Sequence, residues 1–537
     1  MLGKHLTCVA LGVTLLLMLS HYPTSSEGSR ILAIFAFPGK SHYGMHSALI
    51  KELVDRGHHV TMVAAFTLKH LNLGQNYTEI LIEPVYDFWS DVKAYFKAET
   101  VFDLSTIGVL ENHFMLEVIG FTTTEHALKQ PKIQELINHP SPQGQYDLLL
   151  CEQFYQEPFL AVAHIYNIPV VTSGTLGFEN HMSQMMGLLS PWSFVPHGFT
   201  DYSDHMTFKE RLLNSYYSLA EDFLREYHYF PEMDKMVQKY FGHLNVTIPP
   251  ISQMEKNISV MLLNSHLPLI TARPLVPGIV FVGGMHIYPP KKLPQDIQDF
   301  MDGAEDGVIF FSLGSNVQSK DMPDDKLHIF LDVFASMKQR IIWKFENESI
   351  PNLPKNILIK KWLPQSDILA HPRTKVFITH GGLFGTQEGV HHGVPMLGIP
   401  FYCDQQLNLR KSERNGYAIS LDFLTITHDL LRSSLEKLLY DPKYRESIQR
   451  YSRIFRDRPV GSRETAAYWI EYVIRHGGAP QLRSAGLDLE WYQFYLLDVI
   501  AFVVVVAVVV ILVLGYIIKR LLCGVAGGSS GKKLKVN

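Results

Sequence analysis

The sequence predicts an α/β protein with two doubly wound parallel-sheet domains facing a cleft, followed by one transmembrane helix. Three observations predict it. Short apolar strands alternate with helical stretches in two successive runs, a Pro- and Lys-rich stretch separates the runs, and the twenty residues 499–518 carry no charge. At 537 residues the chain is too long for one core, and two domains of roughly 200–250 residues are the natural division.

The first run opens with a strand at Ile31–Phe37, a loop at Pro38–His42, a helix from Met45 to Arg56 and a strand at Val60–Ala65, which is a βαβ unit. Strands follow at Gln145–Glu152 and Ile168–Ser173, with helical segments between and after them, Phe178–Trp192 and Phe208–Tyr229 among these. The second run has strands at Val308–Leu313, Arg340–Phe345, Ile357–Lys361, Val376–Thr379 and Met396–Ile399, and a helix at Lys326–Met337. Expected boundaries are 27–285 for the first domain, 286–294 for the linker and 295–490 for the second domain. In such folds ligands sit outside the carboxyl ends of the strands.

Apolar residues make up 47% and charged residues 19%, which argues against disorder. The net charge of −4 and the lack of a long basic block in the body exclude a nucleic-acid footprint. Lys4 and His5, the apolar run Leu6–Leu19 and small residues up to Ser26 read as a signal peptide over 1–26. Lys519 and Arg520 follow the span and Trp491, Tyr492 and Tyr495 precede it, so a type I orientation is expected, with a cytoplasmic tail at 519–537. Lys533 and Lys535 resemble an endoplasmic-reticulum retrieval signal. Cys151 and Cys403 fall in different domains, so no disulfide framework is expected. Asn76, Asn245, Asn257 and Asn347 are glycosylation sequons.

The most informative stretch is 377–406, FITHGGLFGTQEGVHHGVPMLGIPFYCDQQ. A strand ends at Thr379, glycines follow and a helix starts, so backbone N–H groups and a helix N-terminus can meet an anion. His380 is placed to donate to a phosphate and Glu388 to accept from ribose hydroxyls, while Asp404 and Gln405 suit sugar hydroxyls. No Gly-x-Gly-x-x-Gly follows a strand, which weakens a dinucleotide reading, and no Asp-x-Asp metal clamp occurs.

This stretch resembles the signature of the UDP-glycosyltransferases, enzymes of the GT-B fold with two Rossmann-like domains. The resemblance covers nearly the whole chain and is insect-like among animal members. It implies that Trp362 stacks on uracil, that Gln365 bonds the base or ribose, and that Gly314 and Ser315 lie near the diphosphate. It further implies diphosphate contacts at His380 and Gly382, ribose at Glu388, and the transferred sugar at Asp404 and Gln405. Phe384 and Gly385 replace a common Asn-Ser pair; Gly385 can still offer its N–H, Phe384 offers no side-chain donor. His42, in Gly39-Lys40-Ser41-His42, matches the family's general base, with Glu152 in place of its Asp partner. Asp147 is the competing partner, at the strand's start. The implied activity is inverting transfer of a sugar, glucose by the insect likeness, from UDP to a small lipophilic acceptor, as in detoxification or secondary metabolism. UDP-sugar is a co-substrate and no metal or other cofactor is expected. The bilayer is the expected partner besides substrates; homo-oligomerisation stays open, as do the acceptor and the type of bond formed. The rival readings are a non-catalytic UDP-sugar-binding member, a dinucleotide oxidoreductase and a sugar-binding lectin.

Overall fold

The computed structural model describes residues 28–139, 145–347 and 349–528, with side chains to 523. The expected signal peptide and the terminal lysines lie outside these residues. Two compact units divide at Arg483/Ser484.

The first unit holds two parallel sheets. Strands β1 (Arg30–Phe35), β2 (His59–Ala64), β3 (Tyr77–Leu81), β4 (Leu148–Glu152), β5 (Val170–Gly174), β6 (Ile258–Leu263) and β7 (Ile279–Phe281) form a seven-stranded sheet, order β3-β2-β1-β4-β5-β6-β7. Strands β8 (Val308–Ser312), β9 (Arg340–Lys344), β10 (Ile357–Lys360), β11 (Thr374–Thr379), β12 (Met396–Gly398) and β13 (Ala418–Ser420) form a six-stranded sheet, order β10-β9-β8-β11-β12-β13. Helices cover both faces of a parallel sheet, so its strands must be apolar throughout. LLLCE in β4 and VIFFS in β8 are buried along their full length. Strand order reverses at β1/β4 and at β8/β11. A crevice opens at such a reversal, outside the carboxyl ends.

Five helices matter for the site: α1 (Lys40–Asp55), α2 (Val109–Leu128), α3 (Leu383–His392), α4 (Gln405–Arg414) and α5 (Ser462–Arg475). Helix α1 starts five residues before the expected Met45, so Lys40, Ser41 and His42 form its first turn rather than a loop. Gly39, extended at φ −90°, is its N-cap. Asp404 is the N-cap of α4 and Gln405 its first residue.

The chain crosses between the sheets twice. Residues 282–294, which contain the expected linker, have no helix or strand. The second crossing lies before α5. Ala466, Ala467, Ile470 and Val473 recur at helical spacing on α5 and are fully buried in one core with Ile31, Val60, Leu150 and Val260 of the first sheet. By packing, α5 therefore departs from the expected domain 295–490. Arg458 Nη1 donates to the Gly283 carbonyl at 2.9 Å, joining one crossing to the other.

The second sheet is held by an aromatic cluster. Trp343 on β9 is fully buried, 4.9 Å from the Phe311 ring and 5.6 Å from Phe334, and its Nε1 donates to Ser319 Oγ at 3.1 Å. The unit from Ser484 carries one long helix, whose stretch Leu497–Cys523 has 27 residues and exposes its apolar side chains. It is long and apolar enough to cross a bilayer, and it extends past the expected 499–518 at both ends. Trp343→Ala removes a large buried ring and strands the Ser319 hydroxyl. It is expected to cost about 3–5 kcal/mol, read as a lowered unfolding midpoint of the purified chain.

Candidate active site

Parallel pairing of β1 with β4, Ile34 opposite Cys151, brings the ends of both strands to one place. Glu152 closes β4 there, and the first turn of α1 brings His42. His42 Nδ1 donates to Glu152 Oε1 at 2.5 Å. Thr175, just past β5, donates its hydroxyl to the same carboxylate oxygen at 2.9 Å and lies 2.9 Å from His42 Nδ1. Burial pushes the Glu152 carboxyl up, but the charges of His42 and His46 and these hydrogen bonds outweigh it and hold the group below the ordinary glutamate range. With Nδ1 carrying the proton, Nε2 is the basic nitrogen of His42. Phe37 and Phe154 pack on the imidazole with ring centroids at 4.6 and 4.8 Å. Asp147 lies at the opposite end of β4, where it accepts from the Arg30 N–H at 2.7 Å. Glu152, not Asp147, therefore touches His42.

Across the cleft, His380 follows β11. A Cβ on Gly314 would meet its Cε1 at 2.6 Å, and one on Gly382 its Nε2 at 2.5 Å. Any side chain at either position would drive the imidazole out, and Gly314 also needs its φ of +77°. Burial, with Lys344 nearby, pushes His380 down to about 4, so the ring is neutral at physiological pH. Helix α3 starts from Gly382 with no side-chain cap, which leaves its first N–H groups free for an anion. Gln365 Nε2 donates to Glu388 Oε2 at 2.5 Å, and burial pushes the Glu388 carboxyl up to about 7. Trp362 is 60% exposed, so its ring can take a stacking partner.

Burial pushes Asp404 up to about 6; its Oδ2 accepts from Asn408 Nδ2 at 2.8 Å. Gln405 Oε1 accepts from the Phe401 and Tyr402 N–H groups at 2.8 and 3.3 Å, so its carbonyl braces the turn. The Cys403 N–H donates to Asn112 Oδ1 on α2 at 2.7 Å, tying the turn to the first sheet's helices. Phe384, on the first turn of α3, lies 6.2 Å from the His42 ring and 4.8 Å from His286.

One cavity of 460 Å³ collects these groups. Gly314, Ser315, Trp362, Gln365, His380, Gly382, Gly385, Glu388, Asp404 and Gln405 line it with His42, while Glu152 stands behind His42. Phe88, Trp89, Met115, Leu116 and Ile119 form an apolar part of its first-sheet wall. Thr175, Lys40 and Lys344 also line it and were not singled out from sequence; a lone threonine or lysine carries no signal until the fold places it.

Elsewhere, Glu179, His181 and Glu221 bring three ligand-type atoms within 4.8 Å, all buried. Glu221 there already accepts from His181 at 2.9 Å and has His197 Nε2 at 2.9 Å on its other oxygen, so its carboxylate is committed within the fold. Cys151, Cys403 and Cys523 are free thiols. Of the sequons, Asn245, Asn257 and Asn347 are exposed and Asn76 is half-buried.

Two sheets, a shared cleft and sites at both strand reversals define the class: GT-B glycosyltransferases. Solved structures agree. The glycotransferase of kitacinnamycin matches with TM-score 0.57 at 18% identity, covering 84% of this chain and 100% of that one. A UDP-glucose:anthocyanidin 3-O-glucosyltransferase in complex with UDP matches with TM-score 0.57 at 16% identity, covering 84% and 100%. The family model "UDP-glucoronosyl and UDP-glucosyl transferase" matches residues 33–526, and the chain belongs to that family. UDP-glycosyltransferase UGT5 of Dactylopius coccus is 36% identical over 534 residues, 97% of this chain and 99% of that one. UDP-glucuronosyltransferase 2B7 of Homo sapiens is 31% identical over 526 residues, 93% and 94%.

Glu388 yields a pH prediction. Its folded value, about 7, lies above the unfolded one of ~4.3, so the fold prefers the protonated form. That preference is full below pH ~4.3 and is lost as pH rises through about 7. Glu388→Gln is therefore expected to raise the melting temperature of the ligand-free chain by about 3 °C or more at pH 8.5, and by less than ~1 °C at pH 5. An equal shift at both values would contradict it.

Proposed function

We propose that the chain is an inverting UDP-glycosyltransferase that moves glucose from UDP-glucose to a small lipophilic acceptor. The observation that carries this reading is the His42–Glu152 pair, buried and bonded through Nδ1, in the same cavity as the Trp362, His380 and Asp404 wall. His42 Nε2 takes the acceptor proton, while Glu152 holds the tautomer and stabilises the imidazolium. The acceptor attacks the anomeric carbon opposite UDP, so an α-linked donor gives a β-glycoside. The second sheet's wall binds the donor. Trp362 stacks on uracil, Gln365 and Glu388 hold base and ribose, Gly314, Ser315, His380, Gly382 and the Gly385 N–H meet the diphosphate, and Asp404 and Gln405 hold the sugar.

No metal enters this reading. Charge on the leaving diphosphate is met by the open N-terminus of α3 and by neutral donors. The apolar wall of the first sheet suits a lipophilic acceptor. The family and the long apolar helix make this a membrane-anchored protein. In our reading it is a type I protein of the endoplasmic reticulum with a lumenal body, and its exposed sequons are glycosylated there.

The test is UDP release by microsomes expressing the chain, with UDP-glucose or UDP-glucuronate and a panel of phenols, flavonoids and steroids. Acceptor-dependent release is expected with UDP-glucose, and His42→Ala is expected to lower it by about 10²–10⁴-fold. UDP binding without release across the panel would favour a non-catalytic protein. Thr175→Val should lower kcat about tenfold with little change in either KM, and Thr175→Ser should restore it, because the hydroxyl is committed to the His42–Glu152 pair.

A further inference from the structure

Lys40 is out of place by local rules. It is the first residue of α1, where the helix dipole is positive and a carboxylate is favoured, and the first turn of α1 carries no acidic residue. Its side chain is exposed on the cleft wall and its Nζ lies 4.8 Å from the centre of the Trp362 ring, so it already reaches across from the first sheet to the second. A residue that opposes its own element's preference is expected to serve a site.

The charge inventory of the cavity shows what that service is. Lys40 and Lys344 are its only lysines among the described residues, and no arginine lines it. Lys344 is taken up by Glu346 at 2.5 Å, and no carboxylate among the described residues pairs with Lys40. His380 is neutral, and Asp367, Glu388 and Asp404 add acidic groups to the same wall. A diphosphate entering here meets helix N–H groups but only one uncommitted cation.

We propose that Lys40 is the counter-cation for the donor's diphosphate, supplied across the cleft by the acceptor-side sheet. Its ammonium rests on the Trp362 face by cation–π attraction. When a uracil base takes that face, the ammonium swings to the phosphates, and the first sheet is drawn towards the bound donor. Donor binding thereby favours the closed cleft in which His42 meets the acceptor. This inference rests on the donor reading of the preceding section.

The experiment measures affinities of uridine, UMP and UDP for the full-length chain in detergent, for wild type, Lys40→Gln and Lys40→Arg, at low and high salt. If wild type binds no UDP, the donor reading itself fails. Given binding, Lys40→Gln is expected to weaken UDP about tenfold and UMP less, and to leave uridine within about twofold. Lys40→Arg should recover most of the loss, and the salt dependence of UDP binding should be shallower in Lys40→Gln than in wild type. An equal loss for uridine and UDP would assign Lys40 to the base and overturn the proposal; so would unchanged UDP affinity in Lys40→Gln.

Discussion

An ionised carboxylate inside a protein is costly unless charge and hydrogen bonds support it, and Glu152 receives that support at Oε1 from two different elements. His42 comes from the helix after β1 and Thr175 from the end of β5, while Glu152 itself ends β4. The three meet because β1, β4 and β5 are neighbours in one parallel sheet, and all such strands deliver their carboxyl ends to the same edge. The strand reversal between β1 and β4 opens the crevice, and the pair fills its floor. Moving any of these strands by one register would break the contact and leave a buried charge alone.

The opposite wall solves a different problem: how to receive a highly charged ligand with little fixed charge. Its imidazole at His380 is held neutral by burial and gripped by two glycines that admit no Cβ. Its carboxylates at Glu388 and Asp404 are likewise pushed by burial towards the protonated form. Backbone N–H groups of α3 offer positive potential without a desolvated ion. The dipoles of such a wall are set by the fold itself.

Much of this was legible in the sequence, for identifiable reasons. β4 and β8 are unbroken apolar runs, as a strand covered on both faces must be. The order from Thr379 to Gln405 carries its own turn, cap and helix signals. The start of α1 differs from the expectation because Pro38 and Gly39 read as loop; in the structure Gly39 is the N-cap. β7 and β13 have three residues each, too few for a periodicity. The return of α5 to the first sheet is a long-range choice of partner that the local pattern of an amphipathic helix does not encode. Thr175 escaped for the same reason: its role exists only once β4 and β5 lie side by side.

The paired crossings between the sheets have a mechanical consequence. A single tether would allow one sheet to swivel freely over the other. Here two strands of chain cross side by side, bonded through Arg458 and the Gly283 carbonyl, and α5 is clamped into the far core. Together they act as a door hinge with two pins: opening and shutting remain soft, while twisting and sliding must break packed apolar contacts. The leaves of that door carry His42 on one side and His380 on the other, so each closure brings the same two faces into the same register.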